Sequence, residues 1–105
     1  MTVYSKKRLE RRPSHPGAIL KRIWLDELGY SQSDFADALV AASPKKIKKS
    51  TMQTKLNELI NGKRAMSAEF AVLIGKVLNT SPRMWMNLQT NLDIREAEEN
   101  MGAVS

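Results

Sequence analysis

Four polar residues near the middle of the chain have the side-chain types with which proteins read DNA bases. They follow Ser50 and are Gln53, Thr54, Lys55 and Asn57. Glutamine and asparagine can form paired hydrogen bonds with adenine, lysine can donate to guanine, and threonine can bond a base or place its methyl group against thymine. We therefore predict that these four side chains contact base edges. A second interpretation, compatible with the first, is that Gln53 forms a reciprocal capping box with Ser50.

Cationic residues lie on both sides of this polar stretch. The segment SPKKIKKS, from Ser43 to Ser50, contains four lysines, and Asn61-Gly62 is followed directly by Lys63 and Arg64. Contacts to phosphate supply affinity and register but little sequence information. We predict a phosphate-contacting set that consists of Ser31, Gln32, Lys45, Lys46, Lys48, Lys49, Thr51, Lys63 and Arg64. A solvated turn is the alternative for the last two.

The charge distribution favours a polyanionic partner. The net charge of the 105 residues is +6. Through Arg64 there are 14 Lys and Arg against 6 Asp and Glu, whereas from Ala65 onward there are 3 against 5. Such asymmetry is typical of nucleic-acid binding, although an excess of lysine also serves solubility.

Regular apolar spacing and helix-start signals predict five helices. The first is expected at about 16–28, because Pro16 suits the first helical position and Gly29 suits a left-handed C-terminal cap. Its buried stripe follows three-and-four spacing and consists of Ile19, Leu20, Ile23, Trp24 and Leu28. The second is expected at about 32–41, with Ser31 as its N-cap and a packing face of Phe35, Ala36, Ala38 and Leu39.

The remaining helices follow from the same signals. The third begins near Ser50 and ends at Asn61-Gly62, with a stripe of Met52, Leu56, Leu59 and Ile60. Ser67 caps a fourth, and Ser81-Pro82 starts a fifth that carries Trp85, Leu88 and Leu92. No alternating pattern predicts a strand. The predicted fold class is all-α, in which the second and third helices have the arrangement of a helix-turn-helix.

The composition argues against several other functions. Cysteine is absent and His15 is the one histidine, so neither a metal site nor a cofactor is expected. His15 stands at a proline-flanked helix start, where we interpret it as a structural or capping residue and not a general base. No catalytic constellation is evident, and the protein is not expected to be an enzyme. No apolar run has the length of a signal peptide or a membrane span, which predicts a cytoplasmic protein without membrane contact.

Four segments resemble the HigA-type antitoxins, which are Xre-like helix-turn-helix proteins of toxin–antitoxin modules. The segments are HPGAIL at 15–20, LGYSQSDFADAL at 28–39, ELINGKRAMS at 58–67 and TSPRMWMNLQTNLDI at 80–94. The repressor pattern around INGKR is moderately specific, and its combination with the HPG start and the closing WMNLQ segment is much more so. The resemblance covers roughly residues 14–96.

The resemblance implies a five-helix, lambda-repressor-like domain, which we place at 14–100. The residues before it are basic and lack an apolar period, which predicts a flexible arm at 1–13, and residues 101–105 are expected to form a tail. The resemblance further implies a homodimer that binds palindromic operator DNA in its own promoter and silences a partner toxin similar to the RelE or HigB ribonucleases. Trp85, Leu88 and Leu92 would pack the last helix and help to form the dimer, with ordinary core packing as the alternative for Trp85.

The chain departs from the family between the second and third helices. Val40 to Ser50 is far longer than the usual three- or four-residue turn, as if about ten residues had been inserted. The phase of Ile47, nearly opposite the stripe of the third helix, predicts a break near Ser50, with a short helical turn possible at 44–49 and Ile47 docked on the body. The alternatives are one continuous helix at 44–61 and a disordered linker.

Two other functions remain compatible with the residues. One is a phage- or plasmid-type repressor without a toxin partner, and the other is a protein-interaction module that does not bind DNA. Binding to a membrane surface is less well supported, because no bulky apolar face backs the lysines of 45–49.

Overall fold

Five helices form the part of the chain that the computed structural model describes, residues 13–102. The first, α1, runs through Pro16–Ile19, Leu20–Leu25 and Asp26–Leu28. It is followed by α2 (Gln32–Ala42), α3 (Lys49–Ile60), α4 (Ala68–Leu78) and α5 (Pro82–Asn100), and residues 13–102 contain no strand. The predicted all-α fold with five helices is confirmed. The predicted arm, apart from Pro13, and residues 103–105 of the predicted tail lie outside the described residues.

Helix α1 begins as the sequence predicts. Pro16 occupies its first turn, and the His15 Nδ1 accepts a hydrogen bond of 2.9 Å from the Gly17 N–H. The imidazole therefore caps the helix, which confirms the structural interpretation of His15. The helix ends at Gly29, whose φ of 73° is the left-handed conformation expected there.

The middle of α1 differs from the prediction. Leu20–Leu25 is π-helical, so hydrogen bonds there span five residues instead of four. The wider turn places Leu25, five residues after Leu20, in the core, and both are buried. Ile23 and Leu28, which were predicted to be buried, are 52% and 58% exposed. The predicted stripe was wrong at these two positions because it assumed α-helical spacing throughout.

Helices α2 and α4 begin at serine residues that cap them. Ser31 caps α2 through a 2.9 Å bond from the Asp34 N–H to its Oγ, and Ser67 caps α4 through a 3.2 Å bond from the Phe70 N–H. Both caps were predicted.

The buried apolar residues come from all five helices and the loop before α4, and they include Leu20, Phe35, Leu39, Met52, Leu56, Leu59, Met66, Ile74 and Trp85.

Helix α5 closes the core. Ser81 occupies the N-cap position and Pro82 lies in the first turn, as predicted, although the Ser81 side chain makes no capping hydrogen bond. Trp85 is 0% exposed, and its indole N–H donates to Thr80 Oγ1 at 2.8 Å. Gln89 is the one buried polar side chain among residues 13–102, at 6% exposure. The start of α5 is therefore anchored inside the domain.

Candidate nucleic-acid interface

An open groove follows the outer face of α3. Its volume is about 650 Å³, and it lies between the start of α2 and the loop that follows α3. It is lined by Gln32, Ser50, Gln53, Thr54, Asn57, Glu58 and Lys63. The groove therefore brings together three of the four residues predicted to contact bases and two of those predicted to contact phosphate.

Gln53 is exposed in this groove and touches α2. Its Nε2 donates to Ser33 Oγ over 3.3 Å, a long bond between two exposed groups. Helix α3 begins at Lys49, so Ser50 lies inside the helix, and the residue at the N-cap is Lys48, whose side chain makes no capping bond. The capping-box interpretation of Gln53 and Ser50 is therefore wrong. The amide of Gln53 is held only loosely, which leaves it able to exchange its partner for another.

Thr54 and Asn57 lie on the same exposed face of α3. Thr54 Oγ1 donates to the Ser50 carbonyl oxygen at 3.0 Å, a local bond that residues of this type commonly make within helices. Asn57 Oδ1 accepts from Asn61 Nδ2 at 3.2 Å. These local bonds fix the directions of both side chains without burying them.

Lys55 is placed differently from the other three predicted base contacts. It is half-buried and does not line the groove. Two residues correspond to about 200° around a helix, so Lys55 lies nearly opposite Gln53. The two side chains consequently do not share a reading face, and Lys55 belongs to the flank of α3.

Of the predicted phosphate contacts Ser31, Gln32 and Thr51, one lines the groove and two do not. Gln32 lines the groove, whereas the Ser31 hydroxyl oxygen accepts the capping bond of α2. Thr51 is exposed on α3 but lies outside the groove lining.

Residues 43–48, between α2 and α3, are not helical. The break predicted near Ser50 is confirmed, although α3 begins one residue earlier, and neither the long helix at 44–61 nor a helical turn before Lys49 forms. The Ser43 hydroxyl bonds both the N–H and the carbonyl oxygen of Lys45, at 3.2 and 3.0 Å. Ile47 is half-buried and packs against the core, as predicted. The segment thus has a defined path, attached at its start and at Ile47.

The four lysines of this segment fall into two pairs. Lys45 and Lys49, the paired lysines, form ion pairs with Glu69 at 3.3 Å and with Asp37 at 3.0 Å. Lys46 and Lys48, the unpaired lysines, are exposed and form no ion pair with residues 13–102. The unpaired lysines therefore add positive charge beside the N-terminus of α3 that no acidic residue of the described range offsets in an ion pair.

The loop after α3 is held by backbone hydrogen bonds. The N–H groups of Lys63 and Gly62 donate to the carbonyl oxygens of Glu58 and Leu59, at 2.8 and 3.1 Å. Gly62 has a φ of 74°. This is the Schellman arrangement, in which a left-handed glycine allows the chain to satisfy the last carbonyls of the helix. It fixes Lys63 at the edge of the groove.

Glu58 is a groove residue that the sequence reasoning missed. Its Oε1 accepts from Arg64 Nε at 3.0 Å and lies 2.8 Å from Arg64 Nη2. Arg64, which was predicted to contact phosphate, is therefore one partner of an ion pair. A signal was available, because an acid two residues before the end of the helix lies close to the loop that a Schellman turn folds back.

The same loop is attached to α5 at its other end. The Met66 N–H donates to Gln89 Oε1 at 2.8 Å, and Gln89 Nε2 donates to Asp93 Oδ1 at 2.8 Å. The loop after α3, which contains Lys63 and Arg64, is thus attached to α5 through the Gln89 amide.

The apolar residues of α5 that were assigned to packing or dimerisation face the domain. Trp85 is fully buried, Leu92 is 7% exposed and Leu88 is half-buried against the core. Trp85 therefore offers no surface to a second chain, whereas Leu88 retains some. No helix within residues 13–102 is long and apolar enough to cross a membrane.

Comparisons with known proteins agree with this architecture. No protein-family model matches the chain. The chain is 36% identical to the uncharacterised HTH-type transcriptional regulator YddM of Escherichia coli K12 over 86 residues, which cover 82% of this chain and 80% of the relative. An uncharacterised HTH-type regulator of Haemophilus influenzae is 30% identical over 92 residues, covering 88% and 77%.

Solved structures extend the likeness to antitoxins. The antitoxin GraA has a TM-score of 0.72 and 34% identity, covering 88% of each chain. The Pseudomonas aeruginosa antitoxin HigA with the higBA promoter has a TM-score of 0.72 and 32% identity, covering 88% of this chain and 89% of that one. The fold and the groove thus define a helix-turn-helix protein of the class that regulates transcription. Within that class the chain belongs to the family of HigA-type antitoxins. Its relatives are transcriptional regulators and antitoxins, which are not enzymes.

Proposed function

We propose that the protein is an antitoxin that binds operator DNA as a homodimer, represses its own operon and neutralises a RelE- or HigB-like ribonuclease. The observation that carries the DNA half is the groove on α3, where Gln53, Thr54 and Asn57 are exposed beside the cationic loop. The HigA structure with its promoter supports the same use of this fold.

In this proposal α3 is the recognition helix. Its exposed face enters the major groove, and the N-terminal half, with Gln53 and Thr54, lies against base edges. Asn57 follows one turn later on the same face. Their amide and hydroxyl groups offer both donors and acceptors, and the hydrogen bonds that they make in the free protein are ones that they can exchange for bonds to bases.

Phosphate binding is assigned to residues around the ends of α3. Lys63 is fixed at the groove edge by the Schellman turn, and the unpaired lysines lie beside the first turn of α3. The paired lysines are assigned a smaller share, because Glu69 and Asp37 offset part of their charge. Gln32 and Arg64 complete the contacts to the DNA phosphates. Ser31, Thr51 and Lys55 lie at the edge of the interface and are assigned weaker contacts to DNA.

A homodimer would present two copies of the DNA-binding face, related by two-fold symmetry, to a palindromic operator. Two recognition helices in successive major grooves would read half-sites about 34 Å apart. We assign the dimer contact to the exposed surface of α5 and its neighbours, with Leu88 and Leu92 at its base. A repressor of this kind acts on cytoplasmic DNA, and we propose the same location here.

Salt dependence of binding to the protein's own promoter tests the DNA half. If Lys63 and the two unpaired lysines of each protomer neutralise one phosphate apiece, a dimer makes about six contacts. We then expect affinity to fall about 10³-fold between 50 and 200 mM salt, with a logarithmic slope of about −5. Electrophoretic mobility shift over that range measures it. A protein that shows no shift at any salt concentration would instead be an interaction module.

The toxin half is tested separately by co-expression. The product of the neighbouring reading frame should co-purify with this protein, and cells that express that product alone should stop growing. If promoter DNA binds but no neighbouring product does, the protein is a plain repressor of the phage or plasmid type.

A further inference from the structure

We propose that Glu58 is a positioning residue that orients the guanidinium of Arg64 toward a DNA phosphate. The inference rests on the proposed function and assigns a role to an acid in a groove that otherwise favours anions. Glu58 and Lys63 are the charged residues that line the groove, and Glu58 is the acidic one.

The geometry of the pair leaves most of the guanidinium available. One carboxylate oxygen of Glu58 faces both Nε and Nη2 of Arg64, at 3.0 and 2.8 Å. An arginine side chain has five N–H donors in a planar fork. The edge that faces Glu58 takes two of them, so three donors remain directed away from the carboxylate. The side chains of Arg64 and Glu58 are 41% and 39% exposed, so those donors are accessible.

Glu58 holds the loop at two independent points. Its backbone carbonyl oxygen accepts from the Lys63 N–H at 2.8 Å, and its side chain holds Arg64, the next residue. The backbone bond alone would fix Lys63 and leave the long Arg64 side chain free to rotate. The carboxylate removes that freedom, so that less side-chain entropy is lost when a phosphate binds.

The replacement Glu58→Gln separates positioning from simple electrostatics. It removes a negative charge from the groove while keeping the size of the side chain. If Glu58 only repelled DNA, the variant would bind promoter DNA more tightly. Positioning predicts the opposite, a loss of about 2- to 10-fold in affinity, which is the lower part of the range for residues in contact.

Two further variants complete the experiment. Glu69→Gln removes the same charge from a different exposed ion pair, that of Lys45 with Glu69, and should leave binding unchanged or tighten it. In an Arg64→Ala background, Glu58→Gln should no longer weaken binding, because no guanidinium remains to be oriented. All variants are compared by fluorescence anisotropy on one promoter duplex, with melting curves to match the folded fraction.

Three results would overturn the inference. The first is tighter binding by Glu58→Gln, as for Glu69→Gln. The second is an equal loss with and without Arg64, which would mean that Glu58 contacts DNA directly, for instance by accepting from a cytosine amino group. The third is a wild-type protein that does not bind the duplex, which would refute the proposed function first and the role of Glu58 with it.

Discussion

Replacing Gln89 by leucine is expected to destabilise the domain by about 2 kcal/mol. Leucine has a similar size, so the main effect is that the buried Met66 N–H loses its acceptor at 2.8 Å. A buried donor left without a partner costs about 1–3 kcal/mol. The loss of the bond to Asp93 adds little, because that carboxylate is exposed and remains hydrated. For a domain of about 100 residues, 2 kcal/mol corresponds to a Tm lower by about 8–16 °C.

Thermal unfolding followed by circular dichroism measures this effect. Asn87→Leu is the matched control, because Asn87 lies on the same helix and is exposed, and it should change stability by no more than about 0.5 kcal/mol. Amide hydrogen exchange at Met66 should also accelerate in the Gln89 variant at temperatures where the domain stays folded. Equal Tm values for the two leucine variants would refute the reasoning, since they would show that the Met66 N–H finds another partner at no cost.

Three further predictions concern the proposed recognition helix α3, the lysines beside it and its packing against α1. Gln53→Ala should weaken specific promoter binding by about 1–3 kcal/mol if Gln53 contacts a base, and an unchanged preference among operator variants would exclude that contact. Changing both unpaired lysines to alanine should flatten the salt slope of a dimer by about 3 to 4, whereas changing both paired lysines should flatten it less; equal effects would contradict the division. Gly17→Ala should destabilise the domain by about 3 kcal/mol, the upper end for overpacking, because its Cβ would overlap the Leu59 carbonyl oxygen; urea denaturation measures this, and a neutral result would mean that α1 can shift without cost.

Much of the fold could be predicted because each helix carries its own signals. Ser31, Ser67 and Gly29 mark ends through local hydrogen bonds or backbone conformation, and such signals do not depend on distant parts of the chain. The π-helical turn of α1 could not be predicted in this way. Ile23 and Leu25 are both apolar, and only packing against the other helices decides which of them is buried.

The exposed face of the candidate site could be predicted from the sequence, but the ion pairs around it could not. The exposed face of α3 follows from helical periodicity, which is why Gln53, Thr54 and Asn57 were identified. The ion pairs of the paired lysines join residues 24 and 12 positions apart, and no local pattern encodes them. The position of Lys55 outside the groove could not be predicted for a different reason, because polarity alone does not distinguish the centre of an exposed face from its flank.

The segment between α2 and α3 does not itself decide how α3 packs on the domain. Helix α3 is oriented by its buried Met52, Leu56 and Leu59 and by the ion pair of Lys49 with Asp37 on α2. We therefore expect that the connection can change in length while α2 and α3 keep their packing, because the entropic cost of closing a loop grows only slowly with its length. In the proposed complex with DNA, a longer or more basic connection would change the charge beside the first turn of α3 and leave Gln53, Thr54 and Asn57 in place on its exposed face.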